Sequence, residues 1–146
     1  MTPMEMALEE ARAAALREEV PIGAVVTDAE GRVLSRAGNR VEELRDPSAH
    51  AEMLALRAAS LAAGDKHLAG ATLWVTLEPC AMCAQAASLF RVGRVVFGAY
   101  DLKGGGTEHG ARVFRHPQCN HVPEVVGGVR ESEAGALLRA FFAGLR

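Results

Sequence analysis

The sequence has few aromatic residues, few cysteines and no surplus of basic charge. Phenylalanine, tyrosine and tryptophan make up 5% of its 146 residues, so we expect a core built mainly of alanine, valine and leucine. Three cysteines are an odd number, and the spacing Cys80-x-x-Cys83 indicates metal or redox chemistry more than a disulfide framework, so we expect the chain to fold without disulfides. The formal net charge of −2 argues against a broadly basic surface, so a nucleic-acid partner would have to bind a local basic patch.

Long apolar runs are also absent, and we expect no secretory leader. No stretch approaches the roughly 18 consecutive apolar residues of a membrane span, and residues 1–5 lack the basic and apolar regions of a signal peptide. We therefore expect a cytoplasmic protein with no membrane partner. Contents of 49% hydrophobic and 23% charged residues are ordinary for a globular protein. At this length we expect one domain spanning residues 1–146.

Helical and strand patterns alternate along the chain. Hydrophobic periodicity predicts helices from Pro3 to about Glu19, from near Ala49 to a stop at Gly64, from Cys80 to about Phe90, and from Glu131 to about Ala143. Strand patterns cover residues 21–27, 32–37, 71–77, 94–99 and 124–129. This alternation predicts an α/β fold, a three-layer α/β/α sandwich with a mixed five-stranded sheet.

Several connections can be assigned from turn and cap residues. Thr2 and Glu5 form a capping box for the first helix, and Asp46 or Ser48 is a candidate cap for the second. Residues 28–31 predict a hairpin turn between the first two strands, and residues 38–47 a polar loop. The interval 100–123 is long enough for a crossover helix near residues 110–115, so the last two strands could be parallel.

His50, Cys80 and Cys83 form a candidate zinc site. Zn²⁺ prefers thiolate and imidazole ligands, and three protein ligands leave a fourth tetrahedral position for water. Cys80 and Cys83 are three residues apart in the first turn of a predicted helix, where backbone N–H groups stabilise thiolates. His50 begins the other helix and could face them.

Glu52 is the candidate catalytic acid and base. Two thiolates neutralise the zinc charge, so this metal should acidify its water less than a site with three histidines does, and a separate base is needed. Glu52 lies two residues beyond His50, on another side of the helix, and can face the water without binding the metal. It could take the proton and deliver it to the ring nitrogen and the departing ammonia.

These residues together match one signature. His50-Ala51-Glu52 is followed by Pro79-Cys80-Ala81-Met82-Cys83, and the joint pattern H-x-E with P-C-x-x-C is typical of zinc deaminases that act on cytosine or adenine. Each half begins a predicted helix, and the second half follows a buried strand. The pattern predicts a hydrolase that removes an exocyclic amine.

From Val20 onward the chain resembles the bacterial tRNA-specific adenosine deaminases, which convert adenosine to inosine at the wobble position. The resemblance rests on the segments VPIGAV (20–25), GNR (38–40), DPSAHAE (46–52), TLEPC (76–80), RVVFGA (94–99) and NH (120–121). It implies a cytidine deaminase-like fold, one zinc ion per subunit, a tRNA anticodon loop as partner and a homodimer.

The resemblance also implies substrate-binding residues. Asn39 would hydrogen-bond the flipped base and the Ala51 backbone would lie against it, while Asp101, Lys103 and the pair Phe141 and Phe142 would line the RNA side. Other interpretations stay open: Asp101 could simply cap a loop, and one phenylalanine could pack in the core while the other covers the substrate. The chain departs from the family at residues 104–109 (GGGTEH) and has bulky side chains at Phe90 and Tyr100.

Three alternatives stay open. A deaminase acting on a free nucleobase or nucleoside (guanine, cytosine or cytidine) shares the motif. Cys80 and Cys83 could be a redox pair, or could form a closed structural zinc site with Cys119 and His121 in a protein without catalysis.

His67, His109 and His116 lie in predicted loops and are expected to be solvated, whereas His121 could orient the loop at Asn120.

Overall fold

A computed structural model describes residues 1–145. The helices are α1 (Pro3–Leu16), α2 (Val41–Leu44), α3 (Ala51–Ala63), α4 (Ala81–Leu89) and α5 (Glu131–Gly144). The strands are β1 (Gly23–Thr27), β2 (Val33–Gly38), β3 (Thr72–Leu77), β4 (Arg94–Ala99) and β5 (Glu124–Val126). None of the described helices has the length and apolar character needed to cross a membrane.

The five strands form one mixed sheet in the order β2-β1-β3-β4-β5. Strand β1 pairs antiparallel with β2 and with β3, whereas β3, β4 and β5 are parallel. Strands β3 and β4 are interior strands, with a helix layer on each side, which explains their continuous apolar sequences. The predicted mixed sheet and the parallel arrangement of the last two strands are both confirmed.

Helices cover both faces of the sheet. On one face, α3 and α4 pack through Leu56 and Ala87 against Val26, Val75 and Phe97. On the other face, α1 packs through Met4 and Ala7 against Val25 and Val96, and α5 joins through Ala134. Neighbouring strand residues thus point into opposite cores, as the two-residue period of a strand requires. The predicted three-layer sandwich is confirmed.

Some predicted boundaries were wrong. Helix α1 ends at Leu16 because Glu18 adopts a left-handed backbone conformation (φ 65°). Helix α3 is capped by neither Asp46 nor Ser48: His50 occupies the N-cap position, and the Asp46 carboxylate instead accepts hydrogen bonds from Ser48. The cap at Thr2 and the stop at Gly64 (φ 68°) are confirmed.

The connections also differ from expectation. The predicted polar loop contains the one-turn helix α2, and the crossover to β5 contains only a 3₁₀ turn at Val113–Arg115. Strand β5 has three residues. Most of the interval 100–123 is irregular backbone, and its position therefore depends on specific hydrogen bonds with the sheet and with α4.

Candidate active site

The two halves of the signature meet at the N-termini of α3 and α4. His50 and Cys80 are the N-cap residues of these helices, and Cys83 lies in the first turn of α4. His50 Nδ1 is 3.6 Å from Cys80 Sγ and 3.5 Å from Cys83 Sγ. Within residues 1–145, these three side chains form the only group of three or more potential metal ligands, with their donor atoms within 4.8 Å of one another.

The spacing of these atoms fits a zinc ion. Zn–S bonds of about 2.3 Å and Zn–N bonds of about 2.0–2.1 Å at a tetrahedral angle place the nitrogen and each sulfur about 3.6 Å apart. The observed separations of 3.6 Å and 3.5 Å agree with this value. The geometry of His50, Cys80 and Cys83 therefore suits one tetrahedral zinc ion with one ligand position left open.

Hydrogen bonds within the cluster shift the pKa values of its members. The bond between the two cysteines lowers the pKa of Cys80 to about 4 and raises the pKa of Cys83. The bond to Cys80 also raises the pKa of His50. The two thiols and the imidazole are thus hydrogen-bonded to one another through shared protons. A divalent cation that displaces these protons would be bound by two thiolates and an imidazole.

Glu52 is buried next to these ligands. The residue is 4% exposed, and its Oε1 atom has no hydrogen-bond partner among the described residues. Burial raises the pKa of Glu52 to about 7. A buried carboxylate oxygen without a protein partner needs a ligand or a water, and its location beside the metal ligands suits a group that exchanges protons with a substrate.

The Asn39 side chain is held in one orientation. The Ala51 backbone N–H donates to Asn39 Oδ1 at 2.8 Å, and the Asn39 backbone carbonyl accepts from Arg17 at 3.1 Å. Because Oδ1 is taken, the Asn39 amide nitrogen is the group left to donate outward. The Ala51 N–H is therefore engaged with Asn39.

A cavity of about 490 Å³ opens at the site. Its lining includes Asn39, His50, Phe141 and Phe142, and it is completed by Glu18, Glu19, Val20, Ile22, Val41, Glu42 and Leu145. The rings of Phe141 and Phe142 meet edge to face, with centroids 5.4 Å apart. The expectation that one of them packs in the core was wrong, because both line the cavity.

Asp101 and Lys103 lie outside this lining, on the segment of residues 101–110, which we call the rim segment. The Gly106 N–H donates to the Pro79 carbonyl at 2.7 Å, so the segment lies against the turn that carries Cys80. Asp101 Oδ1 accepts from the N–H groups of Lys103 and Gly104, so Asp101 does cap this loop, which was one of the two interpretations left open by the sequence. Lys103 is exposed.

Cys119 and His121 lie apart from the metal ligands. The Cys119 thiol contacts Ser88 Oγ and the His121 carbonyl, and His121 Nε2 lies 2.7 Å from the Val92 carbonyl. The alternative of a closed zinc site formed by three cysteines and His121 is therefore wrong. The anchored His121 ring does hold the loop at Asn120, as expected.

The sequence reasoning missed Glu78. The residue is 2% exposed, and its carboxylate accepts six hydrogen bonds from the rim segment. Burial alone would raise the pKa of Glu78, but bonds from His109 and from backbone N–H groups hold it below its usual value. His109 is therefore a bonded, half-buried residue and not a solvated one. The sequence did contain one signal for such a residue, because Glu78 is an acidic residue directly after the buried strand β3.

Comparisons with known proteins agree with this geometry. Residues 2–99 match the family model described as the cytidine and deoxycytidylate deaminase zinc-binding region. The tRNA-specific adenosine deaminase of Agrobacterium fabrum is 53% identical over 139 residues, 95% of this chain and 91% of that protein.

Solved structures add two further similarities. A structure from biochemical and structural studies of A-to-I editing by tRNA:A34 deaminases at the wobble position of transfer RNA has a TM-score of 0.91 and 52% identity, covering 93% of this chain and 98% of that one. Guanine deaminase from Nitrosomonas europaea has a TM-score of 0.82 and 26% identity, covering 97% and 83%. The chain therefore belongs to the zinc-dependent deaminases of the cytidine and deoxycytidylate deaminase family, in the branch of the tRNA-specific adenosine deaminases.

Proposed function

We propose that this protein hydrolyses adenosine to inosine at the wobble position of a tRNA anticodon loop, with His50, Cys80 and Cys83 as zinc ligands and Glu52 as the catalytic acid and base. The observation that carries the proposal is the buried Glu52 Oε1, which has no partner within residues 1–145 and lies next to the three ligands. The similarity to tRNA:A34 deaminases at 52% identity, against 26% for the guanine deaminase, supports adenosine in tRNA over a free base.

The chemistry is the replacement of an amine by a carbonyl oxygen. When bound, zinc lowers the pKa of a water molecule and so supplies the nucleophile at neutral pH. His50, Cys80 and Cys83 would hold the metal, and His50 also lines the cavity. The two thiolates reduce the positive charge at the site, which makes a nearby base necessary.

Glu52 moves the protons. Its carboxylate takes a proton from the water that adds to C6 of the adenine ring and delivers it to the ring nitrogen N1. It then takes the remaining proton from the new C6 hydroxyl and transfers it to the exocyclic nitrogen, the C6–N bond breaks, and ammonia leaves as the C6 carbonyl forms. The raised pKa of Glu52, about 7, suits a group that must both accept and donate near neutral pH.

Asn39 and the aromatic pair orient the base. With Oδ1 fixed by Ala51, the Asn39 amide nitrogen donates to a ring nitrogen of the flipped base. Phe141 and Phe142 present apolar surface in the same cavity, on which an unstacked base or its neighbour packs. Asp101 and Lys103 on the rim segment contact the RNA outside the base pocket.

The remaining proposals concern assembly and location. We propose one domain per chain, a cytoplasmic location and, as the family resemblance implies, a homodimer. Light scattering at micromolar concentration measures the oligomeric state directly, and a monomer would refute the dimer.

A short stem-loop with adenosine at the wobble position tests the proposed function. An anticodon loop already exposes its bases, so the enzyme needs no duplex opening and the stem-loop should be converted to inosine. Matched stem-loops with guanosine or cytidine at that position should stay unchanged. Free guanine, cytosine and cytidine are assayed in parallel for ammonia. An unchanged adenosine stem-loop, together with ammonia from a free base, would refute the tRNA substrate.

A further inference from the structure

Glu78 has no part in the reaction as described, yet it is among the most completely buried charged residues of the chain. It follows the last residue of β3 and precedes Pro79 and Cys80. Its side chain is fully enclosed (0% exposed). A carboxylate is retained in such a position only when hydrogen bonds or counter-charges replace its hydration.

Those hydrogen bonds all come from the rim segment. Oε1 accepts from the Asp101 N–H at 3.0 Å and pairs with His109 Nδ1 at 2.9 Å. Oε2 accepts from the Thr107 N–H at 3.3 Å and its hydroxyl at 3.2 Å, and from the N–H groups of Glu108 and His109 at 2.9 Å each. One carboxylate therefore joins both ends of the segment.

The glycines of the segment permit this approach. A Cβ atom at Gly105 would lie 2.6 Å from Glu78 Oε2, and one at Gly106 would lie 2.5–2.7 Å from the backbone of Cys80 and Ala81. Contacts this short do not occur for real Cβ atoms, so the backbone reaches Glu78 and the Cys80 turn only because both residues are glycine.

His109 adds a side-chain link on the outer side. Its ring meets Tyr100 edge to face with centroids 5.9 Å apart, and Tyr100 in turn packs edge to face on the core residue Phe97 at 5.0 Å. The Glu78 carboxylate and the Tyr100 ring thus hold His109 from two directions. The position of the rim segment is set by these contacts, since residues 101–110 contain no helix or strand.

We propose that Glu78 is a positioning residue, which holds the rim segment in the shape in which Asp101 and Lys103 meet the RNA. It acts through the backbone N–H groups of residues 101 and 107–109 and through His109, and it exchanges no proton with the substrate. The inference rests on the proposed function only for its kinetic consequence.

Glu78→Gln is the most informative variant because it keeps the shape of the side chain and replaces one accepting carboxylate oxygen by a donating amide nitrogen. The amide oxygen can serve the N–H groups of residues 107–109, which leaves the amide nitrogen facing the Asp101 N–H. His109→Ala removes the outer link while keeping its backbone N–H, and this partly exposed position tolerates truncation. His116→Ala is the matched control, since the His116 ring pairs with the Ala111 carbonyl in the same stretch of chain and the substitution keeps its backbone hydrogen bonds.

The first measurement needs no RNA. Amide hydrogen exchange of the zinc-loaded protein should show residues 101 and 107–109 protected in the wild type, and exchange at residue 101 should become about tenfold faster in Glu78→Gln, since a hydrogen bond to a charged acceptor is lost. His116→Ala should leave this pattern unchanged. An exchange rate at residue 101 that is the same in Glu78→Gln as in the wild type would overturn the proposal.

The second measurement separates positioning from chemistry. With the adenosine stem-loop, Glu78→Gln should raise KM by about 10- to 100-fold while kcat changes little and zinc stays at one per chain. His109→Ala should raise KM less. An unchanged KM, or a loss of zinc parallel to the loss of activity, would overturn the proposal. A wild-type enzyme that leaves the stem-loop unedited would refute the proposed function instead, and hydrogen exchange would still decide whether Glu78 holds the segment.

Discussion

Replacing Glu52 by glutamine should abolish catalysis and make the protein more stable. The glutamine has nearly the same shape, but it cannot take a proton from water. General acid and base residues contribute about 10²- to 10⁴-fold, and because Glu52 serves at least two transfers, kcat should fall by the upper end of this range or more. Zinc should stay bound at one per chain, since Glu52 is not a ligand.

The gain in stability follows from burial of the carboxylate. Its pKa rises from 4.5 to about 7 on folding, so burial of the ionised carboxylate lowers the free energy of unfolding. This loss is absent below about pH 4.5, where Glu52 is protonated in both the folded and the unfolded state, and it is complete above pH 7. The difference corresponds to about 3 kcal/mol. This is an upper limit, because a bound cation attracts the carboxylate. At about 2–4 °C per kcal/mol, the zinc-free variant should melt up to about 12 °C higher than the zinc-free wild type at pH 8.

Glu19→Gln is the matched control for stability. Glu19 is also a buried glutamate, 2% exposed, but its two oxygens accept the N–H groups of Glu42 and Glu43 at 3.1 Å and 2.8 Å. In Glu19→Gln the side-chain amide nitrogen, itself a donor, would face one of these two backbone N–H groups. The free energy of unfolding should therefore fall by about 1–3 kcal/mol. Thermal unfolding at pH 8 compares the two variants. A destabilised Glu52→Gln, or one with near-normal kcat, would refute the reasoning.

Three further predictions follow from the site and its surroundings. His50→Ala, Cys80→Ala and Cys83→Ala should each lose zinc by metal analysis and melt lower, because metal binding is linked to folding, whereas Cys119→Ala should keep its zinc; full zinc in any of the first three would contradict the ligand assignment. Binding of the stem-loop should weaken linearly with log salt concentration by about 0.7 per single-strand phosphate contact, and Lys103→Ala should reduce that slope by one contact; an unaltered slope would exclude Lys103 from phosphate binding. Gly106→Ala should lower the free energy of unfolding by about 1–3 kcal/mol in denaturant titrations, because its Cβ would lie 2.5 Å from the Ala81 nitrogen; a neutral result would show that the rim segment moves away from the Cys80 turn at little cost.

Local patterns predicted the elements that the core stabilises. Strand β4 begins and ends at the predicted residues, Arg94 and Ala99, because a continuous apolar run between polar residues has few other ways to be buried. The end of α1 was predicted less well. Leu16 continues the apolar pattern of the helix in the sequence, but it is 88% exposed and so contributes no buried contact that would stabilise a longer helix. The left-handed backbone at Glu18 ends the helix instead.

Irregular segments were the least predictable part of the chain. The N-cap of α3 is His50 and not Asp46 or Ser48, because the metal-ligand position of the histidine and the turn at Asp46 together set where the helix starts. The rim segment has no hydrophobic period, and its shape depends on a carboxylate more than twenty residues away in sequence. Such long-range polar contacts leave no periodic pattern in a sequence.

The sequence by itself identified the candidate metal ligands and the proposed catalytic glutamate, and it determined the order of helices and strands, because the short spacings in His50-Ala51-Glu52 and Cys80-x-x-Cys83 and the periods of two and 3.6 residues are local properties. Only the tertiary structure decided that Ala51 fixes Asn39, that both Phe141 and Phe142 line the cavity, and that Glu78 holds the rim segment. These arrangements join residues far apart in the chain. They depend on how α5, β3 and the crossover to β5 pack around the sheet, which no local spacing specifies.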